Sequence, residues 1–533
     1  ADVAHALATT RSALPHRAVV VGTGHRELLD ALAALADRSA ASGAVEGQAR
    51  GGGRTVFVFP GQGSQWAGMG SGLLDAAPVF AERVAQCERA LSPYVDWSLT
   101  GVLRGESGAP SLERVDVVQP ALWAVMVSLA ALWRSYGVEP SAVAGHSQGE
   151  IAAAVVAGAL SLEDGAKVVA LRSRAIVALA GAGGMASVPL PVDEVRALLA
   201  DGDGRLSVAA VNGPASVVVS GDRAALDDLI DRLTARDLRV RRIPVDYASH
   251  SAHVERIHDE LLRLLADITP RPSDIPFYST VTGEPLDTTG LDAGYWYRNL
   301  RRTVEFEQTT RALLAAGHQV LVEVSPHPVL TVPMEETARA AGADRADGAV
   351  VTGTLRRDDG GRARFLAAVG ELYVHGVRVD WRAAYAGWRT RPADLPTYAF
   401  QRRRYWLEDS AAPQGDMASA GLAAADHPLL GAVVALADGD GLLLTGRLST
   451  RTHPWLADHA VRDAALLPGT AFLELAVRAG DQVGCGQVEE LTLEAPLVLP
   501  PEGGVAVQLA VGAPDRDGRR PLSLHARPDG TDD

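Results

Sequence analysis

Gly145-His146-Ser147-Gln148-Gly149 sets a serine between two glycines, and Asp246 to Glu255, DYASHSAHVE, carries two histidines three positions apart. These residue types suit nucleophilic acyl chemistry. A serine hydroxyl is a poor nucleophile at neutral pH and needs an adjacent base. Histidine is the side chain whose ordinary pKa fits that task. No histidine occurs between His146 and His250, so His250 and His253 are the first candidate bases downstream of the serine. Spacing does not choose between them, and taken alone each reads as a surface histidine. A second loop, Pro60-Gly61-Gln62-Gly63-Ser64-Gln65, follows the apolar TVFVF. Its glycines let backbone N–H groups approach a ligand closely. It has neither the lysine nor the spacing of a phosphate-binding P-loop.

Strand–turn–helix units must hold these residues. The serine follows SAVAG and opens EIAAAVVAGAL, the context in which G-x-S-x-G forms a nucleophile elbow. The tight turn strains the serine and presents its hydroxyl at a helix N-terminus, where the dipole and free N–H groups favour a developing oxyanion. Without that context such a serine is an ordinary helix cap. Residues 54 to about 345 read as α/β, with apolar strands followed by glycine turns and helical patterns. Within them, 183 to 245 reads β-α-β-β-α-β, the order of a ferredoxin-like subdomain. Residues 1 to 53 alternate helix-like and strand-like text and end in ASGAVEGQARGGG, expected to be a loop. Residues 346 to 408 mix short strands and a helix. The small, polar stretch 409 to 426 reads as a flexible linker. From His427 to Asp533, β-rich text surrounds the helical GTAFLELAVRAG.

Composition bounds the answer. A chain of 533 residues implies several domains. The net charge of −15 argues against nucleic acid or an anionic membrane as the main partner. Two distant cysteines, Cys87 and Cys485, make no disulfide framework or thiolate metal cluster and fit a reducing cytosol. The apolar Ala121 to Trp133 is shorter than the ~20 residues that span a bilayer, so a buried core helix is expected. The N-terminus shows no initiator Met or apolar signal core, and both ends are expected to be cuts in a longer polypeptide.

FPGQGSQ, GHSQGE, LRSRA and YASHSAHVE, in this order, resemble the acyltransferase domains of modular type I polyketide synthases, which are similar to malonyl-CoA:acyl carrier protein transacylases. The resemblance implies an α/β-hydrolase-like large subdomain with a ferredoxin-like small one. It also implies a ketosynthase–acyltransferase linker over 1–53, the acyltransferase over 54–345 and a post-acyltransferase linker over 346–408. HPLLG and HPWLADHAV resemble the start of a dehydratase, implying a truncated α+β hot-dog domain over 427–533. By the same resemblance Ser147 is the nucleophile and His250 the base, with His253 supporting. Arg172, 25 positions after Ser147, matches the arginine that holds the substrate carboxylate; a guanidinium grips one through two parallel hydrogen bonds. Arg174 is its local rival. The backbone N–H groups of Gln62 and Gln148 match the oxyanion hole. No metal or resident cofactor is implied: acyl-CoA is a substrate, and phosphopantetheine arrives on an acyl carrier protein. The implied setting is cytoplasmic, with ketosynthase and dehydratase neighbours in a homodimeric parent and neither nucleic acid nor membrane as partner.

In that family YASH goes with methylmalonyl-CoA and HAFH with malonyl-CoA. Here Tyr247-Ala248-Ser249-His250 implies methylmalonyl, with Tyr247 and Ser249 as pocket wall. One methyl is worth only ~1–3 kcal/mol in an apolar pocket, so several residues must share the choice. His459 resembles the dehydratase histidine of H-x-x-x-G-x-x-x-x-P. Pro468 matches, but Asp463 stands at the glycine position, where it is expected to obstruct a close backbone approach and impair the domain. Two rival readings remain: a G-x-S-x-G hydrolase or thioesterase, which predicts an acid completing a triad, and a non-catalytic scaffold.

Overall fold

The computed structural model describes residues 1–39, 43–49, 51, 53–200, 203–342, 348–400, 417–437 and 439–531. Residues 401–416, which take in the first part of the expected 409–426 linker, lie outside the described residues, and its second part ends in the strand Ala423–His427 rather than in irregular chain. Two compact units divide at Pro396–Thr397.

The first unit is built on a six-stranded sheet in the order Glu284–Pro285, Phe277–Ser279, Ala142–Gly145, Arg54–Phe59, His318–Glu323, Val350–Gly353. The four pairings from Phe277–Ser279 through to Val350–Gly353 are parallel, while Glu284–Pro285 returns antiparallel. The strands are apolar on both faces because helices cover both. The last strand lies beyond residue 345, inside the stretch expected to be linker. The apolar run at 121–133 belongs to a longer helix, Val115–Ser135, whose apolar window meets the length and hydropathy of a membrane span. That window is 89% buried against the sheet and its neighbouring helices, and each fully buried Leu, Val or Phe contributes about 1.5–3 kcal/mol. This is core packing, as the sequence predicts.

The insertion at 183–245 folds in the expected β-α-β-β-α-β order. Its last strand is shorter than the text LRVRRIPV suggests, covering only Arg241–Ile243. A fifth strand, Val304–Glu305, joins from outside the insertion, parallel to Leu206–Gly213. The segment just before it thereby bridges the two subdomains. Gly183 also matters to the join, because a Cβ there would sit 2.6 Å from the Ala248 methyl.

The N-terminal stretch departs from expectation. Ala44–Gln48, placed in a loop by its glycines, is a strand paired antiparallel with His16–Val20. Glycine marks close packing here rather than a turn: a Cβ on Gly47 would meet Val374 at 3.0 Å. The helix Arg362–Val374 packs on this strand pair, and Arg17 Nη1 donates to Tyr373 O at 2.9 Å.

The second unit has an antiparallel sheet in the order Ala423–His427, Leu430–Ala435, Leu442–Leu448, Val505–Val511, Leu522–Pro528. The amphipathic helix Gly469–Gln482 buries Ala471, Phe472, Leu475, Ala476 and Ala479, and its side chains share a core with the sheet strands. A helix against an antiparallel sheet is the hot-dog arrangement expected.

Candidate active site

The strand Ala142–Gly145 ends in the elbow, and the neighbouring strand Arg54–Phe59 ends in the Pro60–Gln65 loop. Parallel sheets place their binding sites at such carboxyl ends. Ser147 is held at φ 53°, a left-handed conformation that costs a non-glycine residue roughly 1–3 kcal/mol. Close backbone contacts enforce it. A Cβ on Gly145 would lie 2.2 Å from Glu150 N, and one on Gly149 2.1 Å from Phe59 O. His146 N donates to Phe59 O at 2.8 Å, tying the elbow to the adjacent loop.

His250 meets the serine from across the chain. Its Nε2 lies 2.9 Å from Ser147 Oγ, and its Nδ1 lies 2.7 Å from Arg302 O. A carbonyl oxygen only accepts, so Nδ1 carries the hydrogen and Nε2 is left to accept the hydroxyl proton. The backbone N–H of His250 donates to Leu300 O at 2.9 Å. Burial pushes the imidazole pKa down to about 3, the Arg302 carbonyl opposes that, and the Arg172 charge reinforces it. The base is therefore neutral at physiological pH. Among the described residues no carboxylate reaches its Nδ1, the place where a hydrolase triad would put its acid. His253 instead bonds Asp222 Oδ1 at 2.5 Å, away from the serine. Geometry thus separates two histidines that spacing left equal.

Arg172 sits on the helix Leu162–Ile176 and is 1% exposed. Its Nη1 donates to Gln119 Oε1 at 3.0 Å and its Nη2 to Asn299 Oδ1 at 3.2 Å, while Nε has no partner. Burial lowers its pKa to about 10, which leaves it charged. A buried guanidinium paired only with neutral amides is unfavourable by itself and is poised for an anion. Arg174, its rival on the same helix, is exposed.

The remaining residues expected of the acyltransferase-like part gather here too. Tyr247 Oη donates to Gln62 Oε1 at 2.7 Å, bracing the base segment against the glycine loop. The Ser249 residue is buried and its carbonyl accepts from Ser220 Oγ at 2.6 Å. The backbone N–H groups of Gln62 and Gln148 have no hydrogen-bond partner among the described residues. The Gln148 side chain is 1% exposed with both amide atoms unpartnered. His459 lies in the second unit, on an exposed segment whose Nδ1 bonds Leu466 O at 3.0 Å. Asp463 and Arg462 form a hairpin turn with φ of 67° and 49°. The Asp463 side chain is exposed in this turn. A glycine suits this position for its positive φ, which Asp also tolerates.

Sequence reasoning missed the residues that join these parts. Asn299 Nδ2 donates to Ser147 O at 3.1 Å and to Glu150 Oε2 at 2.9 Å. Glu150 is buried and also accepts from Thr280 and Tyr295; burial raises its pKa to about 7 against those hydrogen bonds. The segment 299–302 therefore orients the nucleophile through Asn299, and the base through Leu300 and Arg302. Glu150 stands inside the quoted GHSQGE, but nothing local in YWYRNLR marks Asn299.

Residues 56–379 match the acyl transferase domain family, and residues 427–527 match the polyketide synthase dehydratase domain family. The chain is 60% identical over 528 residues to the polyketide synthase GfsE of Streptomyces halstedii, a span that covers 99% of this chain and 14% of that protein. It is 56% identical over 529 residues to the pikromycin polyketide synthase component PikAII of Streptomyces venezuelae, again 99% of this chain and 14% of the relative. The chain thus spans 14% of the length of each of these two relatives. Among solved structures, the acyltransferase domain from module 8 of the salinomycin polyketide synthase matches with a TM-score of 0.69 at 58% identity, covering 72% of this chain and 90% of that one.

Proposed function

The chain belongs to the acyl transferase family as it occurs in polyketide synthases, and we propose that it moves a methylmalonyl unit from CoA to an acyl carrier protein through an ester on Ser147. The observation that carries the reading is the 2.9 Å contact between Ser147 Oγ and a neutral, correctly tautomerised His250 beside the buried, carboxylate-free Arg172.

The steps follow from that geometry. His250 Nε2 takes the Ser147 proton as Oγ attacks the thioester carbonyl. The oxyanion is received by the free N–H groups of Gln62 and Gln148. The tetrahedral intermediate collapses, the C–S bond breaks, and CoA leaves as a thiol with the proton from His250. In the second half the pantetheine thiol passes its proton to His250 and attacks the ester. The second tetrahedral intermediate collapses, the ester C–O bond breaks, and Ser147 Oγ leaves with the hydrogen from His250. Arg172 holds the distal carboxylate of the acyl group throughout. A carbonyl rather than an acid on Nδ1 supports transfer over a triad hydrolase. The Tyr247-Ala248-Ser249 stretch supports an α-methyl branch: a serine beside the base leaves room that a phenylalanine would fill. A cytoplasmic setting and the ketosynthase and dehydratase neighbours of a homodimeric parent belong to the same proposal.

Intact mass after incubation with methylmalonyl-CoA is expected to show an acyl adduct that disappears in Ser147→Ala and moves to carrier protein when one is added. Release as free acid without carrier acylation would favour a hydrolase. In competition with malonyl-CoA and ethylmalonyl-CoA, methylmalonyl is expected to load first; preferential malonyl loading refutes the choice of extender unit.

A further inference from the structure

The two hydrogen-bonded neighbours of Arg172 are both neutral amide oxygens, Gln119 Oε1 and Asn299 Oδ1. A carboxyl group stands directly behind one of them. Glu150 Oε2 accepts from Asn299 Nδ2 at 2.9 Å. The Asn299 amide is thus inserted between a buried acid and a buried guanidinium. Its orientation is fixed by chemistry, because the guanidinium only donates and a carboxylate only accepts. Its second hydrogen goes to Ser147 O at 3.1 Å, which pins the side chain to the nucleophile's own backbone.

A direct carboxylate–guanidinium pair is stronger than an amide bridge. It would also occupy the fork that a ligand carboxylate needs. We propose that Gln119 and Asn299 are specificity-determining residues that keep Arg172 without an anionic partner, so that only an acyl group bringing its own carboxylate completes it. Asn299 does this by standing between Arg172 and Glu150, and Gln119 by capping the other nitrogen with a neutral oxygen. An acyl group without a distal carboxylate gains nothing from Arg172, and the site discriminates against it. The proposal rests on the reading that Arg172 receives the substrate carboxylate.

The test measures acylation of Ser147 in the full chain with methylmalonyl-CoA and with propionyl-CoA, which lacks the free carboxylate. Asn299→Asp and Gln119→Glu each set an anion on Arg172, from different helices, so the second variant stands if the first does not fold. In Gln119→Glu, KM for methylmalonyl-CoA is expected to rise about tenfold or more while propionyl-CoA kinetics change less than about threefold, since specificity is a difference of two affinities. Asn299→Asp also loses its donor bonds to Ser147 O and Glu150, so both thioesters are expected to load more slowly, with the KM rise confined to methylmalonyl-CoA. Equal KM changes for both thioesters, or an unchanged KM for methylmalonyl-CoA, overturn the proposal. Arg172→Ala separates the two readings. If it loads methylmalonyl as well as the parent chain does, the carboxylate role of Arg172 is wrong. If it loses the dicarboxylic preference while both acidic variants keep it, only the role of the amides falls.

Discussion

The pH profile of Ser147 acylation tests the state of the base directly. An ordinary histidine titrates near 6.5, so at pH 5 only about 3% of it is neutral and acylation falls about thirtyfold from its alkaline plateau. Burial holds His250 near 3, so about 99% is neutral at pH 5 and the rate is expected to be nearly flat from pH 8 to 5. A pKa one unit higher still leaves about nine-tenths neutral there. The perturbation also touches stability, and its sign is defined. The folded pKa lies below the unfolded value, so stability is fully present above about 6.5 and is lost as pH falls toward 3. At pH 5 that loss is ~2 kcal/mol. Single-turnover acylation from acyl-CoA, followed by rapid quench and intact mass, should therefore run beside a circular-dichroism check of folding at each pH. In Arg172→Ala, measured with propionyl-CoA, the acid limb is expected to move upward because a nearby positive charge is gone, yet to stay below 6.5 because burial is the larger cause. A half-maximal rate near pH 6.5 in the folded parent chain would refute the reasoning.

Three further outcomes follow from the packing. Gly149→Ala drives a Cβ to 2.1 Å from Phe59 O; no side-chain rotation relieves a backbone collision, so thermal melting should show a loss of about 3 kcal/mol or more and mass spectrometry no acyl adduct. Tyr247→Phe removes the donor to Gln62 Oε1, worth about 1 kcal/mol or roughly fivefold in rate, and the loss should fall on kcat rather than KM because the oxyanion loop is what loosens. Asp463→Gly relieves a residue held at φ 67° and is expected to raise stability by up to about 1 kcal/mol; a lower melting temperature in calorimetry would contradict the turn.

The residues themselves show how much was legible. The elbow could be read because its cause is local: a strand, a tight turn and a helix within a dozen positions, with glycines where the backbone crowds. The ferredoxin-like insertion was equally plain, since alternation and helical periodicity are short-range patterns. The strand Ala44–Gln48 was misread because its glycine faces Val374, more than 300 positions away, and no local rule distinguishes that from a turn. Asp463 shows a related limit. Its type was read as bulk, whereas its place in the turn makes backbone conformation the relevant property.

Sequence alone determined the chemical inventory: a serine on an elbow, a downstream histidine, an arginine on a helical stretch and an ordered set of motifs that identify the family. Tertiary structure decided how that inventory is wired. Ser147 and His250 are 103 positions apart, and Asn299 reaches Ser147 across 152. The tautomer of the base, its neutrality, and the shielding of Arg172 from Glu150 all depend on such contacts. Side-chain periodicity reports only which face of an element is buried. What lies opposite that face is set by how the strands order in the sheet and how the helices pack upon it, and that is where the site acquires its electrostatics.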